Sequence, residues 1–191
     1  MERTVQLIPD EELLASIDPD LRGVVRPLDY TVSGPRLTPQ EMVEFNNAHA
    51  KRFMSGDFDG IMAHSLVDDP VYEFYPSRIR VSGKEAVHRY HEINYHAVIA
   101  QVDPKRRVTP ADASTTISRT FGENTYATEI SGLFKLGDGE VRRCFFNAVI
   151  RFQDGKMTGE RVWTDRYLSE FFVSALEADP TFFELPGVER F

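Results

Sequence analysis

The sequence is poor in the features that would fix its chemistry at once. It has one cysteine, Cys144, inside the apolar run 141–152. A lone cysteine excludes a disulfide within the chain and a cysteine-built zinc site. Its setting predicts a small buried hydrophobe in a reducing compartment. Basic residues are outnumbered, 22 Lys and Arg against 30 Asp and Glu, for a net charge of −8. Lys105-Arg106-Arg107 is the longest basic run. A nucleic-acid surface needs a basic stripe, so no nucleic-acid partner is expected. No apolar run approaches the ~18 residues of a membrane helix, so no membrane partner is expected either. Met1-Glu2-Arg3 leads into Thr4, Val5 and Gln6 rather than an apolar leader, and a cytoplasmic location is expected. The Gly-x-Ser-x-Gly elbow of hydrolases and the phosphate- and dinucleotide-binding glycine motifs are missing.

What is present is an ordinary globular composition, 41% hydrophobic and 27% charged, with 14 Phe and 7 Tyr spread along 191 residues. That predicts one core with an aromatic lining. Asp154-Gly155 is a hairpin signal between two strand-like runs, 141–152 and 156–165. Alternation along the second run puts Arg161, Trp163 and Asp165 on one face and Glu160, Val162 and Thr164 on the other. An acid, a cation and an indole in line suggest a pocket wall; the plainer alternative is a surface Arg–Asp pair beside a core Trp.

Residues 1–36 read as an extension. Thr38-Pro39-Gln40-Glu41 then supplies a cap hydroxyl, a first-turn proline and a capping-box glutamate. The helix it opens should end at Gly56. A second helix from Asp57 through Leu66 should close at Asp68-Asp69-Pro70. A short strand, 71–75, precedes a third helix that starts around Ser82 and runs to about Ala100. Four strands follow, 108–121, 125–136, 141–152 and 156–165, joined by short turns into an antiparallel meander. A last helix covers 166–176, and the tail 177–191, with Phe182, Phe183 and Phe191, is expected to pack on the body. Helices and strands are segregated, which indicates an α+β fold. A twisted sheet this long should curl over the helices into a cone-shaped interior.

Gly83-Lys84-Glu85-Ala86-Val87 through Tyr90, Asp154-Gly155-Lys156-Met157, and Gly159 through Asp165 resemble the SnoaL-like polyketide cyclase branch of the nuclear transport factor 2-like superfamily. The resemblance spans roughly residues 37–172, inside an expected domain of 37–176. It implies a cone-shaped curved antiparallel sheet around N-terminal helices. It also implies acid/base isomerase, cyclase or dehydratase chemistry without a cofactor or metal, on a small hydrophobic ring-bearing molecule. A homodimer is implied as well, and a non-catalytic ligand-binding or interaction module of the same fold is the alternative. By the same resemblance, Asp165 matches the acid/base carboxylate near the end of the last strand. Glu73 lies on the short strand where ketosteroid isomerase-like members keep their base.

Proton abstraction next to a carbonyl needs a base and a donor for the oxyanion. Asp165, Glu73 and His91 are therefore the catalytic candidates. Tyr75, Tyr90, Tyr95 and Asn147 are further donors, with Asn147 expected to be a hydrogen-bonded buried amide. Tyr72, Phe74, Glu129, Arg161 and Trp163 complete the expected substrate-binding set. Tyr72 and Phe74 share one strand face, and Glu73 and Tyr75 the other. His91-Glu92 followed by His96 only partly meets a zinc-protease pattern, being one residue too long, and is read as helix histidines.

Overall fold

Asp154 and Gly155 both take positive φ, 50° and 76°, so the turn expected between the last two long strands closes as a tight hairpin. The strands it joins, β7 (Val141–Gln153) and β8 (Lys156–Thr164), form the middle of the molecule. The computed structural model describes residues 3–5, 30–99, 114–136 and 139–191. The expected first part of the strand at 108–121 and most of the extension 1–36 lie outside the described residues.

Helix α1 (Pro39–Ser55) begins and ends as its sequence dictates. The Thr38 hydroxyl accepts from Glu41 N–H, the Glu41 carboxylate accepts from Thr38 N–H, and Gly56 ends it at φ 71°. Asp57 then caps the single turn α2 (Phe58–Gly60). The helix expected to continue through Leu66 instead passes into a π-turn at Ile61–Ser65 and becomes strand β3 (Leu66–Tyr75). Asp68-Asp69-Pro70 lies inside β3, where the register with β8 shifts between Leu66 and Val71. Proline is tolerated at such an irregularity.

Four short strands are absent from the expectation, two of them, Arg3–Val5 and Tyr30–Val32, inside the extension. Strand β4 (Ile79–Ser82) pairs antiparallel with β3, and only then does α3 (Lys84–Ile99) begin. Strand β9 (Val188–Arg190) pairs with β4, so the C-terminal segment enters the sheet, with Phe182 fully buried beneath it. With β5 (Ser114–Gly122) and β6 (Thr125–Lys135) the order across the seven strands is β5-β6-β7-β8-β3-β4-β9. Only β3 and β8 run parallel. Apart from it, Arg3–Val5 (β1) pairs with Tyr30–Val32 (β2). Helix α4 (Arg166–Glu177) follows β8 and packs on α3, β7 and β8.

The sheet curls over α1 and α3 as an α+β cone. Its concave face carries cross-strand rows read from the register. One row is Val81, Tyr72, Glu160, Ile150 and Tyr126; the next is Ile79, Phe74, Val162, Ala148 and Thr128. Of the nine residues in these rows other than Glu160, all but Phe74 are buried. No described helix is long and apolar enough to cross a membrane.

Candidate functional site

Alternation along β8 holds from Glu160 onward, because the register shift between β7 and β8 falls before it, between Ile150 and Phe152. The inward set is Glu160, Val162 and Thr164. Arg161 and Trp163 point to the convex face, where Trp163 is 43% exposed. The row of acid, cation and indole therefore lies outside the cone.

Glu160 stands between Tyr72 of β3 and Ile150 of β7. As a residue it is half-buried, and burial alone pushes its pKa up to about 7. Among the described residues no hydrogen bond reaches that carboxyl. Its charge in turn acts on two phenols, Tyr72 and Tyr90. Burial first, and Glu160 second, raise both above the ordinary tyrosine range. Both therefore stay neutral donors at any working pH.

The helices supply the other side of the cluster. Tyr90 and His91 are adjacent on α3, and His49 faces them from α1. The Tyr72 ring meets Tyr90 at 5.5 Å and His91 at 5.3 Å, and the two imidazoles lie 5.4 Å apart. His91 Nδ1 lies 2.7 Å from the Val87 carbonyl, so Nδ1 carries the proton and Nε2 is left for other partners. Burial lowers the His91 pKa to about 4 and that of His49 to about 3, so both rings are neutral. Asn94 donates to the Tyr90 hydroxyl at 3.2 Å. The Tyr72 hydroxyl, His49 Nδ1 and Asn94 Oδ1 are buried without a hydrogen-bond partner among the described residues. Buried polar atoms are normally paired, and three orphans on Tyr72 and on the partners of His91 and Tyr90 are an exception.

The expected site residues thus divide. Tyr72, Phe74, Tyr90 and His91 meet inside the cone with Glu160. Tyr95 sits in the helical layer against Phe53 and Phe58. Tyr75 is stacked on Trp163 on the convex face at 5.3 Å. Glu129 is half-buried there and accepts from the Ser118 hydroxyl, and Asn147, expected as a buried amide, is exposed beside Trp163. Glu73 is held between Arg161 Nε at 2.6 Å and Arg80 at 2.9 Å. Asp165 is the N-cap of α4: one carboxylate oxygen accepts from Leu168 N–H at 2.9 Å and the other from Phe145 N–H at 2.6 Å. His88 pairs with exposed Asp59 at 3.2 Å, away from His96.

Glu160 is the residue the sequence reading passed over. Its signal was there: among its strand-mates of the same parity, Val162 and Thr164, it is the one ionisable group, opposite an apolar pair on β3.

The space beside the cluster is small. A crevice of about 20 Å³, lined by Phe74, Ile79, Tyr90 and Thr164 and roofed by Phe172, Val173 and Leu176 of α4, reaches the Tyr90 end. It has room for about one water molecule.

The sequence matches no family model and no curated protein. Solved structures do match by shape. A de novo designed protein with a curved β-sheet superposes with a TM-score of 0.53 at 12% identity, over 74% of this chain and 99% of its own. A de novo designed protein of the nuclear transport factor 2 fold gives 0.51 at 10% identity, over 74% and 97%. A nuclear transport factor 2-like protein of unknown function from Cytophaga hutchinsonii gives 0.49 at 17% identity, over 64% and 98%. At these identities the likeness is one of fold. The chain has the cone-shaped nuclear transport factor 2-like fold that the sequence resemblance implied.

Proposed function

We propose that the protein holds a small, largely apolar, ring-bearing molecule inside the cone and moves a proton on it, with Glu160 as the acid/base. The observation that carries this is a half-buried carboxyl group without a hydrogen-bond partner among the described residues, facing two neutral phenols. A carboxyl titrating near 7 serves as either base or acid at neutral pH. As carboxylate it would take a proton next to a ring carbonyl, while the Tyr72 or Tyr90 hydroxyl donates to the oxygen as negative charge builds there. Returned to another carbon, the same proton completes an isomerisation; delivered to a leaving hydroxyl, it completes a dehydration. His91 Nε2 is a further proton acceptor in the cluster. No step in this scheme calls on a cofactor. The Asp165 role is reassigned because backbone N–H groups hold both of its oxygens, one in the helix cap and one on β7, and the Glu73 role because two guanidinium groups hold it on the convex face.

A crevice of about 20 Å³ is too small for such a ring-bearing molecule, so binding requires its lining, Phe172, Val173 and Leu176 of α4 among it, to move. That requirement favours a second reading, a non-catalytic module whose aromatic interior is filled. In either case we propose a homodimer through the convex sheet face, where Trp163 and Phe145 are 43% and 46% exposed. The free Cys144 thiol is in keeping with a reducing, cytoplasmic setting.

The test is a thermal-shift screen of polycyclic ketones, steroids and small phenols, followed by turnover assays on the wild type, Glu160→Gln and Asp165→Asn. The enzyme reading expects a ring ketone that stabilises all three and is converted by the wild type and Asp165→Asn only. Stabilisation without turnover in any of them would leave a non-catalytic binding module, and no stabilisation by any compound would leave the filled module in its place.

A further inference from the structure

A second depression lies on the other flank of α4 from the crevice. It is a groove of about 640 Å³, within the range of small-molecule sites. Two ridges of α4 form one wall: Arg166, Glu170 and Ser174, and beside them Tyr167, Phe171 and Ala175. Each is spaced by four residues, so the wall runs along the helix for roughly 13 Å. The end of β6 and the start of β7 supply Lys135, Leu136 and Arg142.

The groove is polarised. At the N-terminal end of α4, the Tyr167 ring lies between two guanidinium groups, Arg142 at 4.5 Å and Arg166 at 5.0 Å from its centre. Lys135, Arg142 and Arg166 there meet Glu170, the Glu140 that pairs with Arg142 and the Asp165 that caps the helix, so cations and carboxylates are matched in number. Arg166 is exposed and has no ion-pair partner among the described residues. The backbone N–H of Leu168 is already taken by Asp165, so an anion there would meet side chains and not the helix terminus. Farther along, Phe171 and Ala175 make the wall apolar. The Phe171 ring lies 5.3 Å from that of Phe172 and 5.9 Å from that of Phe134.

We propose that this groove binds an amphipathic carboxylate, its head on Arg166 and Arg142 and its apolar body along Phe171 and Ala175. A guanidinium already stacked on an aromatic face is pre-oriented for a planar carboxylate. The inference stands apart from the interior chemistry, because the two sites lie on opposite flanks of α4.

The test is calorimetric titration of the intact protein with decanoate, decanol and acetate. Decanoate should bind, with decanol and acetate each weaker by about tenfold or more, since each lacks one half of the match. Arg166→Glu should weaken decanoate by about tenfold and Arg166→Lys by less. Ala175→Phe, which narrows the apolar end, should weaken decanoate and leave acetate unchanged. Equal binding of decanoate and decanol, or equal binding of decanoate and acetate, overturns the proposal. So does decanoate binding that survives Arg166→Glu but is lost in Glu160→Gln, which would place it in the cone.

Discussion

Glu73 and Glu160 lie on paired strands, one residue apart in register, and face opposite sides of one sheet. On the convex side Glu73 is gripped by Arg80 and Arg161 at 2.9 and 2.6 Å. On the concave side Glu160 has no cation and no hydrogen bond among the described residues, and its pKa rises to about 7. The same side chain is thus a structural tie on one face and a titrating group on the other. Burial with a counter-charge fixes a carboxylate in place; burial without one leaves a group that can exchange a proton at neutral pH.

The sharpest way to break this contrast is to neutralise each acid in turn. With a substrate from the ligand screen, Glu160→Gln should lower turnover by about 10²–10⁴-fold, the usual worth of a positioned acid/base. Glu73→Gln should leave turnover within about threefold, since it lies outside the cone. Steady-state rates on both variants decide it, and an equal loss in the two would dissolve the distinction.

Stability against pH separates the interior groups from one another. His49 stays neutral in the fold down to about pH 3, while the unfolded ring takes a proton below 6.5. Its contribution is therefore complete above 6.5 and is lost as the pH falls toward 3, by about 4–5 kcal/mol. His91 adds a smaller loss with the same sign, since its pKa falls only to about 4. Urea unfolding of His49→Leu should show a visibly flatter acid limb; an unchanged limb would mean that His49 is solvated. Glu160 acts in the opposite direction. Its unfolded carboxyl ionises above 4.5 and its folded one only above about 7. Its contribution is complete below 4.5 and declines as the pH rises to 7, by about 3 kcal/mol. Glu160→Gln should therefore gain stability on the wild type between pH 5 and 8, and a loss there would show that Glu160 is paired.

The smallest effect expected belongs to Asp165. Asp165→Ala removes an N-cap and should cost about 1–2 kcal/mol in denaturant unfolding. Turnover should persist, and a collapse of turnover at preserved stability would return the base role to Asp165.

Much of the fold was legible because it is written in local chemistry. Thr38 to Glu41, Gly56 and Asp154-Gly155 each stop or start an element through a bond or a φ value that their side chains favour. Strands β4 and β9 were not legible. Each is three or four residues long and gains its place only by pairing with a distant segment. The alternation along β8 was read correctly, but alternation has no sign. Whether the Glu160 or the Arg161 set faces inward depends on which way the sheet curls and what the helices cover. Asp165 misled for a related reason. An aspartate just after a strand is equally a pocket acid or the cap of the next helix, and only the N–H groups of Phe145 and Leu168 distinguish the two.

The central claim is that Glu160 is a half-buried carboxyl group, unpaired among the described residues, that titrates near neutrality. It is tested most directly by infrared difference spectra of the wild type against Glu160→Gln, following the protonated carboxyl C=O band from pH 4 to 9. The account predicts a single band lost with a midpoint of about 7. A midpoint near the ordinary 4.5 would show a solvated or cation-paired glutamate and would contradict the assignment of the cone interior as the site of chemistry.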